Sequence, residues 1–324
     1  MAINLLALQP NKVSRDLSGY ITYLYGAPKT GKTTLAAQME GALLLAFEPG
    51  YHALPGVIAQ DITSWSEMKQ VYRELKKPEV QKVFKAIIVD TIDIAADRCK
   101  KYICQQNGIE DLGDLGYGKG WTKFKDEFNE IFRGLTQLGY AVFFIGHHKE
   151  VTVTDPQTSV EQMVIRPALS NSVKTVIAGM ADIYGYTHQK YKGEMSVLTL
   201  RSSDGTIECG GRFKYLPEEI PTNYHKLVEA IQTAIDKEAA EHSGKYVTDE
   251  RVNTPVSKTY DFNAQMQEFT NIIEQLMEKD STNANKITSI VERYLGKGKK
   301  VGDCTPEQSE QLELILIDLK DLLS

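Results

Sequence analysis

The sequence predicts an α/β fold: a mostly parallel central sheet with helices on its faces, followed by a small helical module at the carboxyl end. Three observations lead there. Short apolar runs rich in β-branched and aromatic residues alternate with amphipathic patterns between residues 20 and 240, as strands joined by crossover helices do. A glycine-rich phosphate loop sits between the first such strand and its helix. Past a breaker-rich stretch, three helical patterns follow with no strand between them. The expected division is a core at 1–240, a linker at 241–261 and a helical module at 262–324.

Residues 1–19 form a lead-in, with the polar 11–18 expected on the edge of the core. Residues 20–25 (Y-I-T-Y-L-Y) are β-branched and aromatic, which suits a buried strand. The next nine residues are Gly26, Ala27, Pro28, Lys29, Thr30, Gly31, Lys32, Thr33 and Thr34, a full G-x-x-x-x-G-K-[ST] motif. Residues 34–39 are good helix formers. In a strand–turn–helix context the glycines let backbone N–H groups wrap a phosphate chain at the positive end of a helix. Lys32 would neutralise the β- and γ-phosphates, and the Thr33 hydroxyl would hold Mg²⁺. The motif therefore predicts a nucleoside triphosphate site.

Residues 42–47 (A-L-L-L-A-F) read as a second buried strand, ended by Glu48-Pro49-Gly50. An amphipathic helix is expected over 64–77, capped by Ser64 or Ser66 and followed by Pro78. Residues 84–89 (F-K-A-I-I-V) run into Asp90, the Walker B pattern, in which a central strand delivers a carboxylate to the Mg²⁺ site. A helix through Arg98 and Tyr102 leads to a glycine-rich loop at 107–121, and a further helix is expected over 123–138, stopped by Gly139. Residues 140–145 are the next buried strand, ending in Gly146-His147-His148-Lys149. The alternation over 151–165 around Asp155-Pro156 predicts a hairpin. Residues 170–180 read as a helix, 181–187 and 195–200 as strands joined through Lys192-Gly193 that close one edge, and 224–240 as a helix. The module should hold helices at 263–279, 283–295 and 306–323, the last opened by the capping box Thr305-Pro306-Glu307-Gln308.

Composition narrows the partners. With 42 % hydrophobic and 25 % charged residues, the 324-residue chain has material for one large core and a small second unit. A net charge of −6 supplies no global basic field, so any nucleic-acid contact must come from local loops. Cys99, Cys104, Cys209 and Cys304 match no zinc spacing and are expected as reduced thiols in a cytosolic protein. No signal peptide is expected at the start, and no stretch approaches the roughly 18 apolar residues of a membrane span.

Hydrolysis needs a group that orients or deprotonates a water in line with the γ-phosphate. Ligands of such sheets sit beyond the carboxyl ends of the strands, which selects Glu48, Asp90 and His147 for inspection. Glu48 would activate water, or else be a solvated turn residue; Asp90 would bind the metal, or else cap a helix. Of His147 and His148, one would contact the γ-phosphate and the other be structural.

The order of these motifs resembles a family: phosphate loop, strand-Glu (L-L-L-A-F-E-P-G-Y-H-A-L), Walker B (A-I-I-V-D), then strand-polar (F-F-I-G-H-H-K). It resembles the RecA-type recombinase core, and more closely the short phage-encoded RecA-like ATPases grouped with single-strand annealing proteins, the Sak-four group. The similarity spans residues 10–235. It implies a RecA-like P-loop core using ATP and Mg²⁺, with Glu48 at the catalytic glutamate, Asp90 at the Walker B aspartate and His147 at the γ-phosphate sensor. It also implies DNA-binding loops at 107–121 and 149–166, and a basic residue acting on a neighbouring subunit's nucleotide, for which Arg201 and Arg212 are the candidates. The second loop is longer than in RecA, and the large carboxyl-terminal RecA domain is lacking, which puts strand exchange in doubt and leaves annealing.

Within the first loop, Tyr117 and Trp121 offer stacking faces while Lys119 and Lys123 offer phosphate contacts, a pattern suited to single strands. The alternative is a surface loop whose Trp121 packs inward. Lys149 and Arg166 would track a backbone, or else lie on a solvated face. The resulting expectation is a DNA-stimulated ATPase that forms a homo-oligomer on single-stranded DNA in a bacterial host cytoplasm, its module offered as the contact for a single-stranded DNA-binding protein. The competing readings are a helicase-like motor or loader, and a nucleotide-gated interaction protein with weak hydrolysis.

Overall fold

The structure, a computed structural model, describes residues 5–154, 159–191, 193–251 and 260–323. The expected hairpin tip at Asp155-Pro156, Lys192 in the expected strand connection and residues 252–259 of the expected linker lie outside them. Two compact units divide the described chain, one spanning 10 to 251 and one joining 5–9 to 260–323.

The first unit opens with β1 (Val13–Ser14) and β2 (Ile21–Gly26), the latter buried from its second residue onward. The phosphate loop leads into α1 (Lys32–Ala36), which starts before the pattern at 34–39 and ends sooner. The chain then turns through Gly41, packed on Lys85, into β3 (Ala42–Ala46) and later β4 (Ile58–Asp61). In α2 (Trp65–Leu75) Ser64 is the cap: its Oγ accepts the Glu67 N–H at 3.2 Å, and Glu67 Oε2 accepts the Ser64 N–H at 3.2 Å. Pro78 follows the end of α2 as expected and also begins a further helix, α3 (Pro78–Val83), where its missing N–H is one the helix would leave unpaired anyway.

Next come β5 (Ala86–Asp90), buried at every position, α4 (Ile92–Asn107) and α5 (Lys119–Gln137). The last starts at Lys119 rather than 123 and so takes in Trp121; the expected loop shrinks to 108–118 and contains a 3-10 turn at Leu112–Leu115. The sequence reading missed this because Gly120 resembles a breaker. In the fold it permits contact: a Cβ there would stand 2.1 Å from the Leu112 carbonyl oxygen. After β6 (Ala141–Gly146), β7 (His148–Thr154) and β8 (Glu161–Pro167) form the expected antiparallel hairpin as a separate two-stranded sheet. The unit ends with α6 (Asn171–Met180), β9 (Ile183–His188), β10 (Val197–Thr199), β11 (Gly210–Gly211), β12 (Glu219–Pro221), α7 (Tyr224–Glu241) and β13 (Val247–Thr248).

Among the described residues nine strands make the main sheet, in the order β12-β10-β9-β2-β6-β5-β3-β4, with β11 also on β9. From β9 to β4 all neighbours run parallel, while β10, β11 and β12 add antiparallel partners at one side. The edge is thus closed by β12, one strand beyond the pair expected. Alternate strand residues feed two cores. Tyr23, Leu45, Val89 and Phe144 join the cluster of α2, α4, α5 and α6, while Leu24, Leu44, Ile88 and Ile145 join that of α1 and α7. Each such side chain, fully buried, contributes about 1.5–3 kcal/mol. β1 pairs in parallel with β13, Val13 beside Val247, so the first part of the expected linker belongs to this unit.

The second unit contains α8 (Phe262–Lys279), α9 (Asn283–Leu295) and α10 (Ser309–Leu323), with Ile272, Leu276, Ile290, Leu312, Ile315 and Leu319 in its own core. The expected capping box of Thr305 and Gln308 is present, with Gln308 Oε1 accepting the Thr305 N–H at 3.1 Å, in a 3-10 turn that precedes α10. Among the described residues no helix is long and apolar enough to cross a membrane.

Candidate active site

Strand register brings the selected strand ends to one edge. Gly26 pairs with Thr187, Tyr25 with Gly146, and Asp90 with both Ile145 and Ala46, so the phosphate loop, His147, Asp90 and Glu48 all emerge side by side. They line a cleft of ≈ 290 Å³ whose floor is residues 28–34 of the loop. A Cβ on Gly26 would stand 2.1 Å from the Thr187 carbonyl oxygen, and Gly31 has φ 85°, so the loop follows a path open to glycine at both positions. The Thr30 hydroxyl lies 2.7 Å from that of Thr187 and donates to the Ala27 carbonyl at 2.8 Å, fastening the loop to β9.

Lys32 Nζ donates to the carbonyls of Gly26 (3.1 Å) and Ala27 (2.7 Å). Burial lowers the pKa of its ammonium, partly opposed by Asp90, Glu48 and Asp93. The Thr33 hydroxyl donates to Asp90 Oδ2 at 2.6 Å. Burial raises the Asp90 carboxyl, the Thr33 hydrogen bond opposes this, and the nearby charges of Glu48 and Lys32 act in opposite directions. His147 faces the cleft and His148 does not; the His148 ring lies 5.8 Å from that of Tyr186. His147 Nε2 is 3.8 Å from Glu48 Oε1, and Nδ1 is 2.6 Å from Asp93 Oδ2. Sequence reasoning missed Asp93. Its signal was an acidic residue in the first turn of the helix leaving the Walker B strand.

The donors fit the ligands that the motif predicts. Thr33 and Asp90 offer two adjacent oxygens, the hard donors Mg²⁺ takes, with phosphate and water supplying its other ligands. Lys32 and the loop N–H groups would hold the phosphates.

Residues 18–208 match the family described as an AAA domain. The chain belongs to that family. This AAA domain protein is thus a P-loop ATPase by descent, and such families generally use ATP and Mg²⁺. It is also 30 % identical over 337 residues to the "SPbeta prophage-derived uncharacterized protein YorG" of Bacillus subtilis (strain 168), with 100 % of each chain covered. Among solved structures, the RadB recombinase gives a TM-score of 0.36 at 16 % identity, covering 56 % of this chain and 80 % of that one. A KaiC-like protein from Pyrococcus horikoshii OT3 gives 0.33 at 16 % identity, covering 58 % and 81 %. The flagellar accessory protein FlaH from Methanocaldococcus jannaschii gives 0.33 at 11 % identity, covering 63 % and 84 %. Scores this low assign no function.

The remaining selected residues of the AAA domain protein lie outside the cleft. Arg201 is exposed and donates to the Lys214 carbonyl at 3.1 Å, in a groove with Tyr215 and Lys226. Arg212 is exposed and lies 3.3 Å from Asp182, whose other oxygen accepts the Ile21 N–H, which places it at the opposite end of β2 from the phosphate loop. Tyr117 is fully exposed, with φ 47° between two glycines that also have positive φ. Lys119, Trp121 and Lys123 follow on the first turns of α5; Trp121 is 40 % exposed, and Lys123 Nζ donates to Asn107 Oδ1 at 2.6 Å. At the base of the hairpin, Lys149 pairs in register with Arg166; the first donates to the Leu169 carbonyl at 3.2 Å and the second lies 3.5 Å from Glu208.

Proposed function

We propose that this protein is a DNA-stimulated ATPase of phage recombination that assembles on single-stranded DNA and promotes annealing or homologous pairing. The meeting of Lys32, Thr33, Glu48, Asp90 and His147 in one cleft carries the hydrolytic part. In this reading Lys32 and the loop hold the phosphates, Thr33 and Asp90 hold Mg²⁺, and His147 senses the γ-phosphate through the water that attacks it. Glu48 takes a proton from the attacking water. As the water oxygen bonds to the γ-phosphorus, the bond to the β,γ-bridging oxygen breaks; ADP leaves with that oxygen and phosphate keeps the water's.

The nucleic-acid part is supported by Tyr117. A fully exposed aromatic ring in a conformation uncommon for its residue type has no packing role among the described residues. With Lys119 and the half-open Trp121 on the next turn, it offers the stacking face and cation that single strands use. The hairpin begins one residue after His147, so a shift at the γ-phosphate would reach Lys149 along the backbone and Arg166 through its pairing with Lys149. A prophage-derived relative of matching length agrees with a phage origin.

The deciding experiment measures ATP turnover with single-stranded DNA, duplex DNA and neither. A severalfold rise with single strands alone is expected, lost in a Tyr117→Ala, Trp121→Ala double variant that keeps basal turnover. Equal turnover in all three would remove the DNA reading, and ATP-fuelled strand separation would replace it with a motor.

A further inference from the structure

We propose that Asp93 is a positioning residue that holds His147 in the tautomer with hydrogen on Nδ1, leaving Nε2 to accept a hydrogen bond from the attacking water. The inference rests on reading the cleft as a site of ATP hydrolysis. His147 Nδ1 and Asp93 Oδ2 are 2.6 Å apart, so a hydrogen lies between them. The other Asp93 oxygen is buried without a hydrogen-bond partner among the described residues, so the hydrogen bonding of this carboxylate is directed at the imidazole. Both ends of the contact are held firmly. Asp93 sits in the first turn of α4, and the His147 carbonyl accepts the Ala168 N–H at 2.8 Å.

The other ring nitrogen gives the contact its purpose. Nε2 stands 3.8 Å from Glu48 Oε1, too far for a direct hydrogen bond and close enough for one water to reach both at about 2.8 Å. A water that donates one hydrogen to Nε2 and the other to Glu48 has its oxygen lone pairs free for phosphorus. During attack the proton passes to Glu48, and Nε2 keeps the second hydrogen bond, so the water arrives already oriented. In the opposite tautomer Nε2 would donate, turning a water's lone pair away from the phosphate. Asp93 thus acts on the attacking water through His147, as carboxylates behind other catalytic imidazoles do.

The test combines a spectroscopic reading with kinetics. In protein carrying ¹⁵N-histidine, the His147 signals are assigned by their loss in His147→Gln. Near neutral pH the wild type is expected to show Nδ1 protonated and Nε2 bare. In Asp93→Asn, whose amide would donate to Nδ1, hydrogen is expected on Nε2. Asp93→Asn should lower kcat about a hundredfold while the Kd for ATP stays within about threefold of wild type. In the His147→Gln background the same change should have no further effect. Nε2 protonated in the wild type, as the other tautomer or as imidazolium, would overturn the proposal whether or not the variant folds. So would losses that multiply in the double variant. A wild type that binds ATP without turnover would end the hydrolysis reading instead, and the tautomer would still decide the Asp93–His147 contact.

Discussion

Asp90 is 5 % exposed, and its carboxyl is raised chiefly by that burial, so keeping it ionised without a metal destabilises the folded chain. An aspartate raised in the folded state binds its proton where the unfolded chain is still ionised. That stabilising contribution is complete below the ordinary value of 3.8 and is lost as pH rises through the raised one. With EDTA and no nucleotide, Asp90→Asn should therefore raise Tm at pH 7 by about 2–4 °C. The gain should shrink as pH falls, because the wild-type carboxyl then becomes neutral too. Differential scanning calorimetry across pH reads this, and a gain that grows on acidification would contradict it. The same variant should lose Mg²⁺-dependent turnover. Lys32 and Thr33 were legible from motif spacing, and Glu48, Asp90 and His147 from their places after apolar runs. Asp93 was not, because the imidazole it meets is 54 positions away and only strand order brings them together.

At the scale of elements, α5 shows how one residue type misleads. Gly118 and Gly120 look alike in sequence; the first ends a turn at φ 72°, and the second lies inside the helix against the Leu112 carbonyl. Gly120→Ala is expected to cost about 1–3 kcal/mol through overpacking against backbone, read as a lower urea midpoint at unchanged slope. An unchanged midpoint would mean that the 3-10 turn moves aside freely. Pro78 does follow the end of α2, but the short helix it opens was not legible, since a proline after a helix and a proline starting one look the same until the carbonyls around it are placed. Long amphipathic patterns such as those of α2 and α8 were readable because each turn repeats the same apolar face.

At the scale of the molecule, the helical unit has its own core, and a fragment of residues 258–324 is expected to be helical and to melt cooperatively by circular dichroism. A featureless, non-cooperative melt would count against independence. If neighbouring subunits share the nucleotide, Arg201→Ala should keep ATP affinity while losing the rise of specific activity with protein concentration; an unchanged rise would remove Arg201 from that role. Helices of this unit were legible because their contacts are local, whereas sheet order depends on partners far apart in sequence. The pairing of β1 with β13 was invisible for another reason, since two residues cannot display an alternation. That small ladder has a practical consequence. It clasps the entrance and the exit of the ATPase unit, so a short bridge would join them and new ends opened at a surface turn should leave the sheet intact, making the unit amenable to circular permutation.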